Sequence, residues 1–560
     1  MAIAQEGHFR ANPEKDTGKE KFISSSFSEE YMVVTADKRA SLAARKVIEI
    51  GGNALDAVIA AQNVLSVVEP QSSGLGGGGF LLYFDKKKEN LLGWDGREFA
   101  PASAEAFMFS NNKNKKMKFL EAIRTKKSVG IPGLYNMLAD AHKEYGLLDW
   151  EKLFEDSINY SSGFIISNRL SKLLKWAEHI QDDEYVKEIY FKKNKPKKNG
   201  EIVINRKLKE SLKELSKNPY SLKKGKLSHL ISQKLENTIT SKDLQSWKTI
   251  KRTPICKLFL NHTICGFPPP TSGGVGVLQI LGILEKVKKP DNLIMAKHYF
   301  LEASRLAYRD RDVFIADPNF FNVPVRALIS SSYLYNRAKL IDSKKANPYY
   351  THGNPTNKKQ TNLIRGDSIE KPSTTHISVI DKFGNAAALT SSIEFAFGSG
   401  KTVGGFFLNN QLTDFSFLPV DESQKKIANS VSALKKPRSS MAPTIVLKNK
   451  ELVGVLGSPG GSRIICYVAR VLYYKIGLKK ELSEVVSAPH ICSRNQITEI
   501  EKRLDANNIA DMLERYGHKI ERRKMTSGIN IIWKEEKGWH GVADPRREGV
   551  AISNKAERKK

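Results

Sequence analysis

The sequence predicts a mixed α/β fold of the α+β type from three patterns. Residues 36–65 carry apolar side chains at the spacing of two amphipathic helices. Residues 70–84 form a glycine-rich loop that runs into an apolar strand, and residues 374–393 hold two alternating runs about a short turn, which is typical of a β-hairpin. With 560 residues, 40% of them hydrophobic, the chain can bury a large core, either as one large enzyme domain or as about three or four smaller domains.

Small and polar residues mark the ends of the predicted helices. Leu42, Val47 and Ile48 are expected on one face of the first helix, which two glycines then end. Asn53 can cap the second helix through its side-chain oxygen. A Pro/Gly loop at 266–275 is expected to open a further apolar helix.

Two polar segments are predicted to be exposed. Residues 1–30 are expected to form a flexible N-terminal tail. They hold no apolar run before a small-residue cleavage site, so a cytoplasmic location is expected, and a start upstream of Met1 would leave a periplasmic or secreted location open. Residues 343–373, rich in Asn, Lys, Thr and Pro, are expected to form an exposed linker that ends abruptly at Thr374.

The charge of the chain suggests a different class of protein. A formal net charge of +30 is compatible with binding to nucleic acid or to an anionic surface. The surplus lies on both sides of Thr374, and the lysine runs at 192–198 and 223–226 lack the aromatic and arginine residues on which bases stack. A solvated surface is therefore favoured, and nucleic-acid binding stays as the alternative outside enzymes. No apolar run is long enough to predict a membrane span.

Several familiar motifs fail in their context. Gly74, Gly76 and Gly79 satisfy GxGxxG, but a predicted helix precedes them and a strand follows, the reverse of a dinucleotide site. No His or Cys set has metal-ligand spacing, so neither a metal nor a cofactor is expected. The four cysteines do not form a disulfide scaffold; Cys256 and Cys265 could pair across a hairpin or remain thiols.

Thr374 would become reactive if the bond before it were cut. The new α-amine would have an ordinary pKa near ~8 and could act as the base for the hydroxyl of the same residue. The linker is expected to expose the Ser373–Thr374 bond, and the strand that follows would hold the nucleophile rigidly. Taken alone, the Thr-Thr pair favours the plainer interpretation that it begins an ordinary strand.

Longer motifs favour the nucleophile over an ordinary strand start. Through these motifs and their order, residues 32–552 resemble the γ-glutamyltranspeptidase (glutathione hydrolase) family of N-terminal-nucleophile hydrolases. The motifs are GGNALDAVIAA, EPQSSGLGGGGF, WDGREFAP, SVGIPG, GFPPPTSGGV, EASRLAYRDR, TTHISVIDKFGN, LNNQLTDFS, KKPRSSMAPTIV, GSPGGSRI and ADPRREGVA. The resemblance implies a four-layer αββα sandwich. It also implies a proenzyme that cuts itself between Ser373 and Thr374 into a large subunit, 31–373 after the tail, and a small subunit, 374–560, which stay together as a heterodimer.

The implied reaction is the cleavage of glutathione or related γ-glutamyl amides through an acyl-enzyme on Thr374. Water, or an amino-acid or peptide acceptor, would then resolve the acyl-enzyme. By the same resemblance Ser392 hydrogen-bonds the nucleophile, and Gly460 and Gly461 form the oxyanion hole, where backbone N–H groups approach without a side chain in the way.

The resemblance also assigns residues to the amino-acid head of the substrate. Arg97, Ser439 and Ser440 would hold the α-carboxylate, and Asp414 with Gln411 beside it would hold the α-ammonium. A related amidase with another substrate, similar to cephalosporin acylase, is the alternative among enzymes. Retention of these head-binding residues argues against it.

Three positions depart from the common pattern of the family. Ser392 and Glu394 stand where a threonine and a neutral amide are common; Glu394 would pair with the substrate ammonium. Thr413 replaces an acidic residue. The stretch that carries an aromatic lid in some members holds Phe415 and Phe417 but neither Tyr nor Trp, which leaves lid closure open.

Overall fold

The computed structural model describes residues 23–111, 115–236, 238–356, 366, 373–495 and 497–554. The helices are α1 Lys38–Glu49, α2 Ala54–Val68, α3 Phe119–Arg124, α4 Leu134–Tyr145, α5 Glu155–Ser161, α6 Asn168–Trp176, α7 Glu184–Tyr190, α8 Arg206–Lys217, α9 Lys226–Leu235, α10 Ser241–Gln245, α11 Gly273–Leu284, α12 Leu293–Phe314, α13 Val325–Leu328, α14 Ser331–Ala338, α15 Ile464–Leu472, α16 Leu482–Ser487 and α17 Asn507–Arg515. The strands are β1 Ser24–Ser28, β2 Met32–Thr35, β3 Gly78–Asp85, β4 Asn90–Asp95, β5 Phe164–Ile165, β6 Phe191–Lys192, β7 Lys195–Pro196, β8 Ile202–Val203, β9 Ile250–Arg252, β10 Ile255–Phe259, β11 His262–Gly266, β12 Thr375–Ile380, β13 Ala386–Ser392, β14 Thr402–Val403, β15 Phe406–Phe407, β16 Thr444–Lys448, β17 Glu451–Gly457, β18 Ile491–Ser493, β19 Thr498–Glu501, β20 Ile520–Arg523, β21 Asn530–Glu535, β22 Gly538–Ala543 and β23 Val550–Ile552.

Two seven-stranded antiparallel sheets form the centre of the molecule. One has the order β1-β22-β21-β17-β16-β11-β10 and the other β23-β2-β12-β13-β3-β4-β9. The sheets pack face to face; α11 and α15 cover the first, and α1, α2 and α4 cover the second. This arrangement is the predicted four-layer αββα sandwich, and strands from both sides of Thr374 contribute to each sheet.

The predicted hairpin lies in the middle of the second sheet. Strands β12 and β13 flank a turn at 381–385 and are buried along their whole length, because both sides of the sheet are covered. Alternate side chains of β12 point to opposite sides of the sheet. Ile377 and Val379 pack in the core with α1 and α2, whereas Ile380 packs in the core with the other sheet. The hairpin therefore holds the residue before it, Thr374, against a rigid layer.

The first helices agree with their predicted bounds, with one exception in the buried face. Asn53 caps α2 by accepting hydrogen bonds from Leu55 N and Asp56 N, and Asp56 completes a capping box. Val47 and Ile48 are buried, but Leu42 is 37% exposed. The prediction for Leu42 is wrong because Leu42 and Val47 are five residues apart. That spacing turns their side chains about 140° from each other around the helix axis. As predicted, a helix (α2) precedes the GxGxxG segment and a strand (β3) follows it.

The described parts of both segments predicted to be exposed include a strand or buried residues. Within the predicted tail, residues 24–28 form β1, which pairs with β22 at the edge of the first sheet. Residues 1–22 lie outside the described residues. In the predicted linker, Ala346, Tyr350 and Ser373 are buried, so the expectation of an exposed segment is wrong there. Residues 357–365 and 367–372 lie outside the described residues.

The four cysteines form two disulfides. Cys256 and Cys265 face each other across the β10–β11 hairpin, one of the two arrangements left open by the sequence. Cys466 and Cys492 join α15 to β18, a pair 26 residues apart that no local pattern indicated. None of the helices among the described residues is both long enough and apolar enough to span a membrane.

Candidate active site

Thr374 lies at the start of β12 with its hydroxyl directed at the bond that precedes it. Its Oγ1 is 2.5 Å from the carbonyl oxygen of Ser373 and 3.2 Å from the hydroxyl of Ser392. The Ser392 hydroxyl donates to the same carbonyl oxygen at 2.8 Å. Because β12 and β13 pair as Thr375 with Ser391, the end of β13 places Ser392 beside Thr374. The predicted contact between Ser392 and Thr374 is present in the uncut chain.

The Ser373–Thr374 bond is buried, which corrects the expectation of an accessible bond. Ser373 is 0% and Thr374 4% exposed, and the Ser373 hydroxyl donates to Gln71 O at 2.5 Å. Residue 71 belongs to the turn after α2, so the large-subunit core holds the bond in place. The site therefore suits attack by a group of the chain itself, and it is poorly suited to an external protease.

Arg547 is a contact of the nucleophile that the sequence analysis missed. Its Nη1 donates to Thr374 O at 2.7 Å. A Cβ built on Gly528 would lie 2.7 Å from Arg547 Cδ and 2.8 Å from Pro459 Cγ, so Arg547 and Pro459 crowd the same spot. Arg547 thus lies close both to the nucleophile and to Pro459, the residue before Gly460. It lies in ADPRREGVA, a motif quoted above with no role assigned.

The Gly460–Gly461 loop needs glycine for conformation and for space. The φ angles of Gly460 and Gly461 are +141° and +60°, values that side chains rarely adopt. A Cβ on Gly460 would also meet the ring of Tyr467 at 2.5 Å. Gly461 lines the same cavity as Thr374, whereas Gly460 does not. Their role as oxyanion donors stays a prediction.

Arg97 and Asp414 are joined before any substrate binds. Arg97 Nη2 lies 2.7 Å from Asp414 Oδ2 and 2.9 Å from Arg438 O, and Gln411 Nε2 donates to Asp414 Oδ2 at 2.6 Å. Arg97 follows β4, and Gln411–Asp414 is a single 3-10 turn, so two distant segments meet here. Both Arg97 and Asp414 are buried, which strengthens their attraction.

The two predicted serines are held as acceptors. Ser439 Oγ accepts from Met441 N at 3.1 Å, and Ser440 Oγ accepts from Arg311 Nη2 at 2.8 Å. Ser272, at the start of α11, donates to Ser439 O at 2.7 Å through its hydroxyl. Because each serine oxygen accepts in these bonds, its own hydrogen can be donated to a carboxylate.

Glu394 follows Ser392 in an uncommon backbone conformation. Its φ is +74°, and its N–H donates to Ser392 Oγ at 2.9 Å. Asn410 Nδ2 donates to Glu394 Oε2 at 2.5 Å and to Thr413 Oγ1 at 2.9 Å. Thr413, where an acidic residue is common, therefore shares a donor with Glu394 and adds no charge. Strained backbone of this kind occurs preferentially at functional sites.

One cavity brings these residues together. It is lined by Arg97, Thr374, Ser392, Glu394, Gln411, Asp414, Ser439, Ser440, Met441, Gly461 and Ile464. We call Arg97, Glu394, Gln411, Asp414, Ser439 and Ser440 the recognition wall, and Thr374, Ser392 and Gly461 the reaction wall. Of the predicted residues, Ser373 and Gly460 do not line the cavity. Phe415 and Phe417 also lie outside its lining; Phe417 stacks on Phe109 at 4.8 Å.

Comparison with known proteins agrees with this geometry. The family model described as Gamma-glutamyltranspeptidase matches residues 40–554. The chain belongs to the γ-glutamyltranspeptidase family. It is 33% identical over 547 residues to the glutathione hydrolase proenzyme of Bacillus subtilis strain 168, covering 94% of this chain and 92% of that protein. The glutathione hydrolase proenzyme of Escherichia coli K12 is also 33% identical, with 92% and 90% covered.

Solved structures show the same fold. The cephalosporin acylase from Bacillus halodurans superimposes with a TM-score of 0.82 at 22% identity, covering 96% of this chain and 98% of that chain. The γ-glutamyltranspeptidase of Helicobacter pylori matches with a TM-score of 0.55 at 28% identity, covering 58% of this chain and 97% of that chain. The predicted family and fold are confirmed, and this family member is an enzyme.

The charges in the cavity of this γ-glutamyltranspeptidase suit a zwitterion. Arg97 supplies a cation, and Glu394 and Asp414 supply two carboxylates. A third carboxyl, that of Glu98, is buried beside Arg97, and burial raises its pKa to about 8 while Arg97 opposes the rise. The raised pKa favours the neutral form of Glu98, in which the charge of Arg97 is available to Asp414 and to a substrate carboxylate.

A separate set of metal-type ligands in this enzyme is already hydrogen-bonded. His298, Glu302 and His518 lie together away from the cavity. His298 Nε2 lies 2.7 Å from Asp342 O and must donate to it, so in the neutral ring Nδ1 accepts from His518 Nε2 at 2.9 Å. Burial lowers the pKa of both histidines, that of His518 to about 3, so both are neutral. Both ring nitrogens of His298 are therefore already engaged in hydrogen bonds.

Proposed function

We propose that the chain is a self-processing γ-glutamyl hydrolase/transferase that acts on glutathione and related γ-glutamyl amides. The observation that carries the proposal is the placing of the recognition wall beside Thr374. A γ-glutamyl group ends in an α-amino acid head, and Arg97 faces its carboxylate while Glu394 and Asp414 face its ammonium. The names of the curated relatives point to the same substrate class.

The first reaction cuts the chain itself. Thr374 Oγ1 attacks the carbonyl carbon of Ser373, and the C–N bond breaks as the hydroxyl proton passes to the Thr374 nitrogen, leaving Ser373 as an ester on Thr374. Ser392 Oγ, 2.8 Å from the carbonyl oxygen, donates to the negative charge that develops there. Water then hydrolyses the ester, which releases the Ser373 carboxylate and restores the Thr374 hydroxyl beside the amine freed in the preceding step.

Turnover reuses the same hydroxyl with a new base. The free amine of Thr374 takes the hydroxyl proton as Oγ1 attacks the γ-carbonyl carbon, and the protonated leaving amine departs from an acyl-enzyme. We expect the backbone N–H of Gly461, which lines the cavity, to donate to the oxyanion. Water or an acceptor amine then attacks the ester and restores Thr374.

A pair of matched substrates tests this function against the acylase alternative. A γ-glutamyl anilide carries the α-ammonium, whereas a glutaryl anilide keeps the terminal carboxylate and lacks the ammonium. The proposal predicts a kcat/KM at least about 100-fold higher for the γ-glutamyl compound, because only that compound has an ammonium that can pair with the carboxylates of Glu394 and Asp414. Equal rates, or a faster glutaryl reaction, would favour the alternative. In either case the acyl group should be found on the peptide that begins at Thr374.

We also propose that the enzyme works in an oxidising compartment. All four cysteines lie in strands or a helix, three of them buried and Cys256 exposed, and such disulfides persist outside the reducing cytoplasm. This supports the periplasmic or secreted alternative over the cytoplasmic expectation. Alkylating the protein as it leaves its native cells, before any reduction, should label none of the four cysteines. Labelling of all four would support a cytoplasmic location.

A further inference from the structure

A buried cluster of cations lies among the helices that cover the first sheet. Arg470 in α15 is 0% exposed; its Nη1 donates to Val485 O at 2.9 Å, but its Nε and Nη2 meet no hydrogen-bond acceptor among the described residues. Lys297 in α12 is 6% exposed. Both lie by the ring of Tyr474, with Arg470 Cζ 5.4 Å and Lys297 Nζ 5.5 Å from its centroid. The buried Tyr474 hydroxyl likewise meets no partner in the described part of the chain.

The carboxylates near Arg470 are already paired with another arginine. Arg546 holds both oxygens of Glu501, at 2.7 and 2.6 Å, and Oδ1 of Asp544 at 3.1 Å. The other oxygen of Asp544 accepts from Ser527. Around Arg470 the described residues therefore hold three buried cations, Lys297, Arg470 and Arg546, against two buried carboxylates.

The remaining neighbours do not neutralise the surplus. His490 is neutral, because burial lowers its pKa well below the usual value. Lys480 and Glu484, at the rim, pair with each other at 3.2 Å. The ring of Tyr474 attracts both cations through its face, but a ring compensates a buried charge less well than a counter-ion does. One positive charge is left, together with N–H and O–H donors that lack acceptors.

We propose that Lys297, Arg470 and Tyr474 bind a small monovalent anion such as chloride. The site offers an ammonium, two guanidinium N–H groups and one hydroxyl, all donors, as an anion requires. The single surplus charge sets the valence, and the full burial of Arg470 favours an ion of halide size over a larger organic acid. Water could satisfy the donors but would leave the charge uncompensated.

The pKa values of the two cations agree with this assignment. Burial, followed by the charge of Arg470, lowers the pKa of Lys297 to about 8. Burial also lowers the pKa of Arg470 to about 10. A bound anion would favour the charged form of both groups and so reverse part of this shift.

The site also joins the two predicted subunits. Lys297 belongs to the part before Thr374, and Arg470 and Tyr474 belong to the part after it. If the chain is cut as proposed above, the anion links the two products. The anion site itself rests on Lys297, Arg470 and Tyr474 and holds whether or not cleavage occurs.

Bromide and thermal unfolding test the proposal on the full-length protein. We expect crystals grown in sodium bromide to show an anomalous peak within about 4 Å of Arg470 Nε. At fixed ionic strength, Tm should be higher in chloride or bromide than in gluconate, whose anion is too large, by about 2 °C. No peak and equal Tm in the three salts would overturn the proposal in favour of water.

Two lysine variants locate the effect. Lys297→Met removes the surplus charge and keeps an apolar side chain of similar length, so its Tm should no longer depend on the anion. Lys289→Met, an exposed position beyond α11, is the matched control and should keep the dependence of the wild type. If Lys297→Met keeps the full dependence, the anion acts elsewhere and the assignment fails. Should that variant not fold, the bromide peak in the wild type still decides the question.

Discussion

The recognition wall and the reaction wall of the cavity are built in different ways. Arg97, Asp414 and Gln411 of the recognition wall are already tied by an ion pair and hydrogen bonds in the uncut chain. The reaction wall has no charged side chain, and the nitrogen of Thr374 is still a peptide amide with no basicity. Folding therefore prepares binding in advance, whereas the catalytic base comes into being only when the chain is cut.

This contrast predicts two kinds of variant. Changes to the recognition wall should impair substrate binding and leave self-cleavage intact. Changes to the reaction wall should impair both cleavage and turnover, because both reactions use Thr374 Oγ1.

The largest effect is expected at Arg97. Arg97→Ala removes the cation for the α-carboxylate and leaves Asp414 buried without its partner, so kcat/KM for a γ-glutamyl anilide should fall about 1,000-fold, chiefly through KM. Self-cleavage should continue at the wild-type rate. Arg97→Lys keeps the charge and loses the two-pronged guanidinium contact, so its kcat/KM should lie between those of the wild type and Arg97→Ala. Loss of self-cleavage in Arg97→Ala would show that Arg97 has a structural role. It would contradict the separation of the recognition wall from the reaction wall.

Ser392→Ala should reduce both reactions by about 100-fold, because it removes the hydroxyl that donates to Ser373 O and contacts Thr374 Oγ1. Cleavage is followed by gel, and turnover by steady-state kinetics. Ser391→Ala is the matched control: this hydroxyl lies on the same strand and donates to Gln62 instead. The distinction between the walls would be lost if Ser392→Ala changed KM alone.

Arg547→Met should lower the cleavage rate and kcat about 10-fold with KM unchanged. The variant keeps an unbranched side chain against Pro459 and loses the hydrogen bond to Thr374 O. Arg547→Lys should recover part of the rate. A raised KM with normal kcat would place Arg547 with substrate recognition, against the geometry.

The smallest effect is expected for Glu394→Gln, which keeps the acceptor for Asn410 and loses the charge. KM for the γ-glutamyl anilide should rise about 5-fold, equivalent to about 1 kcal/mol. The glutaryl anilide, which lacks the ammonium, should show no change. An equal rise for both substrates would mean that Glu394 acts through the loop and not through its charge.

The sequence predicts the site residues that stand in motifs with an assigned role, and it misses contacts to which no motif gives a role. Thr374, Ser392 and the head-binding residues were found because they stand in long motifs, and the hairpin followed from its alternation. Arg547 and Cys466–Cys492 depend on segments brought together from far apart, which no spacing reveals. The buried state of Ser373 was missed because a polar segment was read as exposed, whereas tertiary contacts with Gln71 hold it inside.

Intact mass and a denaturing gel of wild type and Thr374→Ala test the central claim most directly. The wild type should yield two chains of about 42 and about 21 kDa, the shares of 62.7 kDa that lie before and after Thr374, and the shorter should begin with Thr374. Thr374→Ala, which has no hydroxyl to attack Ser373, should remain one inactive chain. A wild type that is active while uncut, or a Thr374→Ala variant that is cut at the same bond, would contradict the account.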